Sequence, residues 1–246
     1  YFAGAAAANA HDVNVNTEAY IGTDKATDSD ETTISNAGSV SVTADDNATL
    51  KANAGSAAVT ISGTGAGSGT LSAAVEVLDK NVKATVGKAN ITAQNLTARA
   101  NNAGSVLTTA NGLAATVALY GGALSGSASE SIVDYHTDAH IADGANITVI
   151  SDVIVDADSS FSHTGEAAAA AGSTLASAGL SNDTTVLNTE TLAYIGDNAQ
   201  VSATAGHTCR NGFRIGNERI NNQIDIFCII ADIFIGHALC ATRIDG

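Results

Sequence analysis

"NITVISDVIVDAD", residues 146–158, places Ile147, Val149, Val153 and Val155 all at odd positions. A period of two in β-branched residues is the pattern of a strand with one buried face. The interruption at Ile150 and Ser151 predicts a corner or a bulge in that strand. Nothing around it repeats with the helical period.

The phrase just before it, "TDAHIADGANITVI" from Thr137, has relatives elsewhere in the chain. "TEAYIG" starts at Thr17, "VKATVGKANITAQ" at Val82 and "TLAYIGDNAQVSAT" at Thr191. All share x-x-Ala-x-Ile/Val-Gly/Ala, with Ala19, Ala84, Ala139 and Ala193 as anchors. The full copies continue into Ala-x-Ile/Val-Thr/Ser. The first unit is lengthened by "TDKATDSDETTISN" (23–36). Between anchors comes an alternating run, then an Ala/Gly/Ser patch such as "LAATVALYGGALSGSAS" or "AAAAAGSTLASAGL". Strands recurring at a fixed period, without Pro, predict an all-β fold: a parallel β-helix or β-solenoid with repeats of about 55 residues. Three coils of about 18 residues would divide each period. Gly and Asn suit its corners, where a positive φ is needed. The patches read as strand rather than helix, because Gly and Ser recur at short intervals. The rival architecture, an array of immunoglobulin-type sandwiches, would want aromatic core residues, and the chain has no Trp.

Composition agrees with a thin core of small side chains. Of 246 residues, 45% are hydrophobic but only 4% aromatic, and Pro and Met are absent. Position 1 is Tyr, so the sequence reads as a segment of a longer chain. The formal net charge is −15 and resides entirely in residues 1–206. Such acidity keeps a repetitive surface soluble and repels nucleic acid and anionic membranes. No apolar run is long enough for a transmembrane helix. "IDIFCIIADIFIG" (224–236) is too short and carries Asp225 and Asp232.

On these phrases, "AYIGDNAQVSATAG" above all, residues 1–206 resemble the repeats of leukotoxin-type filamentous adhesins. These are large exported proteins of Gram-negative bacteria, similar in style to filamentous haemagglutinins. The resemblance implies a long parallel β-helix, export through an outer-membrane partner, and display or secretion at the cell surface. It also implies contact with host-cell or extracellular surface components. It implies no catalytic residues and no cofactor, and none is carried over.

Several constellations carry residue types capable of chemistry. His136, Asp138 and His140 in "YHTDAH" resemble a metal set, but on a strand the two His lie about 13 Å apart. His140 takes the repeat slot of Tyr20 and Tyr194, so a surface repeat position is expected. Asp24, Asp28, Asp30 and Glu31 crowd the insertion without a calcium-loop pattern. "GTGAGSG" (63–69) lacks the Lys and the strand–helix context of a phosphate loop. Asp152, Asp156 and Asp158 alternate, and Asp156 and Asp158 share a strand face about 7 Å apart. Carbohydrate-active β-helix enzymes use such carboxylates, and this is the alternative functional reading. Sister units have Gln94 and Arg99 there, and no aromatic platform accompanies them. No catalytic, cofactor-binding or metal residue is therefore assigned, and the chain is read as a non-enzyme.

After Gly206 the grammar changes. Residues 207–246 hold Cys209, Cys228 and Cys240, and four of the ten basic residues. This tail reads as separate from the array 1–206, the product of a frameshift rather than a cap. The cysteine spacing fits no zinc or disulfide framework.

Overall fold

The structure is a computed structural model. It describes the backbone of residues 1–22, 32–204, 206–215, 218–219, 226–228 and 238–244, and the side chains of residues 1–22 and 32–204. Among the described residues every regular element is a strand. In chain order they are β1 (Phe2–Ile21), β2 (Thr32–Ile61), β3 (Gly65–Val86), β4 (Ala89–Val117) and β5 (Tyr120–Ile141). Then follow β6 (Asn146–Val149), β7 (Asp152–Gly172), β8 (Ala176–Ile195), β9 (Gln200–Ala203) and β10 (Gly206–Ile215). β11 (Glu218–Arg219), β12 (Ile226–Cys228) and β13 (Ala238–Ile244) complete the set.

The strands form two stacks. A front sheet has the order β1-β3-β5-β8, all parallel, with β13 antiparallel on its β8 edge. In the back sheet β2 pairs with β4, and β4 pairs with β6 and β7, all in parallel. β9 continues it on β6 and β10 on β7, again in parallel. The chain runs along the front sheet, turns a corner, and returns along the back sheet. The fold is therefore a parallel β-solenoid of very long strands.

Each repeat makes one rung, not three coils of 18. Ala19 pairs with Ala84, Ala84 with Ala139, and Ala139 with Ala193, so the four anchors stand in one column. The main breaks of a unit are the anchor corner and a Gly/Ser/Thr turn such as Ser62–Thr64. Between them the alternation carries the long strands 20 to 30 residues, as in β1 and β2. The Ala/Gly patches are strand, as expected, because they lie within these long runs.

At the corner, Gly144 and Asn198 occupy matching places on successive rungs, with φ of 71° and 58°. These are left-handed conformations in which Gly and Asn are favoured. The expected interruption at Ile150 and Ser151 separates β6 from β7. In the first rung the lengthening ends in a bulge between Ile34 and Ala37, with Asn36 at φ 56°.

The interior changes along the strands. Near the corner, Val82, Val86, Ile91, Leu96, Ile141, Ile147 and their neighbours form a continuous aliphatic core. In the middle, Leu78, Val106, Val133, Tyr135 and Phe161 fill the space. Tyr135 and Phe161 meet edge to face at 5.6 Å. Towards the far turn the interior becomes hydroxylic. Ser68 and Thr116 bond at 2.8 Å, and Thr70 and Ser125 at 2.9 Å. The sheets approach closely here: a Cβ at Gly112 would lie 2.6 Å from Ser125 Oγ and 3.0 Å from the Gly126 carbonyl. Paired hydroxyls satisfy one another at little volume, which suits so thin a layer.

Candidate functional site

The strongest chemical concentration is internal. Lys80 on β3, Asp46 on β2, Tyr135 on β5 and the Ala103 carbonyl on β4 meet between the sheets. The Lys80 ammonium pairs with the Asp46 carboxylate and donates to Ala103 O at 2.5 Å. It also lies 5.2 Å from the centroid of the Tyr135 ring. Burial pulls the Lys80 pKa below its ordinary value, while the bond and the charge of Asp46 push it back. Burial raises the Tyr135 phenol, and the Asp46 charge adds to that. Four residues back along β3, Glu76 is buried and meets His11 of the neighbouring rung at 3.0 Å. The Lys80 side chain has no solvent exposure, so no substrate reaches it. The arrangement ties the two sheets together at a fixed register.

The carboxylates singled out in the sequence lie on the outer face of the back sheet. Asp156 stacks on Arg99, with Nε to Oδ2 at 3.5 Å. Asp158 shares its row with Asn101 and Asp45. At the start of β7 the Asp152 N–H donates to Asn95 Oδ1 at 3.5 Å. Asp156 thus faces a guanidinium across the rung.

His136 and His140 go to different partners. His136 Nδ1 meets Glu190 of the next rung at 3.0 Å. His140 Nδ1 meets Asp138 at 2.9 Å, and its ring stacks on Tyr194 at 4.7 Å. The expected repeat slot is right, since His140 pairs with Thr85 and Tyr194, but the expected exposure is not. His140 and Asp138 are buried, although their strand parity points them away from the inter-sheet core. Among the described residues no group of three His, Cys, Asp or Glu is placed to hold a metal. Asp24, Asp28, Asp30 and Glu31 lie outside the described residues. "GTGAGSG" spans a tight turn and the start of β3, with Gly65, Gly67 and Gly69 along one face. No helix is long and apolar enough to cross a membrane among the described residues.

The internal cluster was missed in the sequence. "VEVLDKNVKATV" reads as alternation with Val75 and Val77 prominent, yet Glu76, Leu78, Lys80 and Val82 are the residues that point inward. The signal available was the one Lys in phase with the anchor Ala84. No family model, no curated protein and no solved structure matches this chain.

Proposed function

We propose that the chain is a structural and adhesive repeat segment of a secreted or surface-displayed bacterial protein of the filamentous-adhesin kind. The observation that supports this reading is the unbroken column Ala19, Ala84, Ala139, Ala193. Four rungs repeat in register, and the buried charges serve the stack itself. A stiff rod follows from that construction, because each rung is hydrogen-bonded along its length to the next. Its broad outer faces would meet extracellular surface components, and an outer-membrane partner would export it.

Two measurements test the reading. Antibody to the chain should label intact producing cells or the culture medium. Beads coated with the purified chain should adhere to cell or matrix surfaces above beads coated with an unrelated acidic protein. Label confined to lysed cells would overturn the placement. Release of reducing ends or unsaturated sugars from polysaccharides by the purified chain would favour the carbohydrate-active enzyme instead.

A further inference from the structure

An amine and a carboxylate are held in contact between the sheets. Among the described residues Lys80 is the only buried lysine. It points inward between Leu78 and Val82, one in each of two apolar clusters. Its ammonium meets Oδ1 of Asp46 on the back sheet. Oδ2 of the same carboxylate accepts from the Thr17 hydroxyl at 3.3 Å. Asn102, the pairing partner of Asp46 on the next rung, is fully buried. Neither of its amide atoms has a hydrogen-bond partner among the described residues.

In water an amine and a carboxylic acid persist as hydrated ions, and that hydration disfavours an amide between them. A dry interior withdraws the hydration and favours the neutral pair. Fixing the two groups in contact helps further, since well-oriented reactants behave as if at about 10⁵ M or more.

We propose that Lys80 and Asp46 condense into an isopeptide bond, which turns their contact into a covalent bridge between the two sheets. A proton first passes from the Lys80 ammonium to the Asp46 carboxylate. The freed lone pair of Nζ adds to Cγ, and the C–N bond forms. The Thr17 hydroxyl donates to Oδ2, where negative charge collects. The bond from Cγ to Oδ1 then breaks. That oxygen leaves as water, with the carboxyl proton and one proton from Nζ. An ammonium and a carboxylate are consumed, and one amide and one water are made. Atoms and charge balance, and nothing is oxidised or reduced. Burial, which pulls the Lys80 pKa down, favours the neutral amine that the addition needs. Asp46 keeps 16% of its side chain exposed, which gives the water a way out. The amide retains one N–H for the Ala103 carbonyl. Until the bond forms, the two groups act as a buried ion pair. The inference rests on the interior alone and is independent of what the outer faces bind.

Intact-mass spectrometry of the purified, folded chain tests it. After incubation the expected mass is that of the sequence less one water. Trypsin does not cut at an acylated lysine. The digest should therefore yield residues 26–51 joined to residues 52–83 as one branched peptide. Fragmentation should place the link on Asp46 and Lys80. Lys80→Arg keeps a cation for Asp46 but no free amine, so it should fold by circular dichroism and keep its full mass. The unaltered chain held in urea throughout should keep its full mass too. A folded, unaltered chain that stays at its sequence mass overturns the inference. So does loss of an ammonia with the link on Asn102, which makes Asn102 the acceptor. Water lost by ring closure at Asp143–Gly144 also overturns it, because residues 26–51 and 52–83 then run as separate peptides.

Discussion

Lys80, in the front sheet, and Asp46, in the back sheet, form an ion pair that bridges the interior of the solenoid. Asp46 keeps a small opening to solvent, at 16% exposure, while Lys80 has none. Removing one partner strands the other in a medium that disfavours charge, and the cost of a broken buried pair is about 3 kcal/mol or more. Asp46→Asn and Lys80→Met should each lower stability by about 2–3 kcal/mol, the lower figure reflecting that opening. The double variant, with no stranded charge, should lose less than the sum. Urea unfolding of the four proteins as a double-mutant cycle reads the coupling.

Gly104 abuts the Tyr135 hydroxyl, and a Cβ there would also lie 3.0 Å from the Ala48 carbonyl. That hydroxyl is buried without a hydrogen-bond partner. Gly104→Ala should therefore cost about 1–3 kcal/mol by overpacking. Tyr135→Phe alone should be close to neutral, because it removes an unsatisfied polar atom. In the Tyr135→Phe background, Gly104→Ala should cost clearly less. Equal penalties in the two backgrounds would place the clash elsewhere.

The anchor column tolerates no bulk. Ala84 and Ala139 are fully buried and stacked on each other. Ala84→Leu or Ala139→Leu should destabilise by about 1–3 kcal/mol, since the neighbouring rungs leave no slack. Ala8→Leu, on the outer face of β1, should change stability by less than about 0.5 kcal/mol. Thermal unfolding of the three variants separates the inner from the outer face of the front sheet.

His163 gives the stability a pH dependence. Its imidazole meets the Ser131 and Thr185 hydroxyls at 3.0 Å, and burial lowers its pKa, with the Asp183 charge acting the other way. Below about 6.5 the unfolded chain takes up this proton before the folded chain does. This contribution is therefore intact above that pH and is lost as pH falls through the window beneath it. His163→Gln should flatten the difference in urea midpoint between pH 7.5 and pH 5. An unchanged difference would show that His163 does not carry it.

Much of the fold is legible in the residues themselves. The alternation in 146–158 makes strands, because only a pleated chain puts Ile147, Val149, Val153 and Val155 on one side. The four anchor alanines announce the repeat, and Gly144 and Asn198 announce its corner. What they do not announce is the length of a rung. A strand continues until something breaks its hydrogen bonding, and the parallel pairing of β3 with β5 runs unbroken from Gly65 to Val86. Neighbouring rungs therefore decide that one period is one rung.

Parity is decided the same way. In isolation, Leu71, Ala73, Val75 and Val77 would bury themselves and turn Ser72 and Glu76 to water. The aliphatic corner around Val82, Ala84 and Val86 fixes the other phase, and an unbroken strand transmits that phase to its far end. The hydroxyls are thereby enclosed, Lys80 is delivered to Asp46, and the leucines are left outside. Local sequence supplies the strands and corners of this protein; the register between rungs settles which side of each strand becomes interior and which becomes surface.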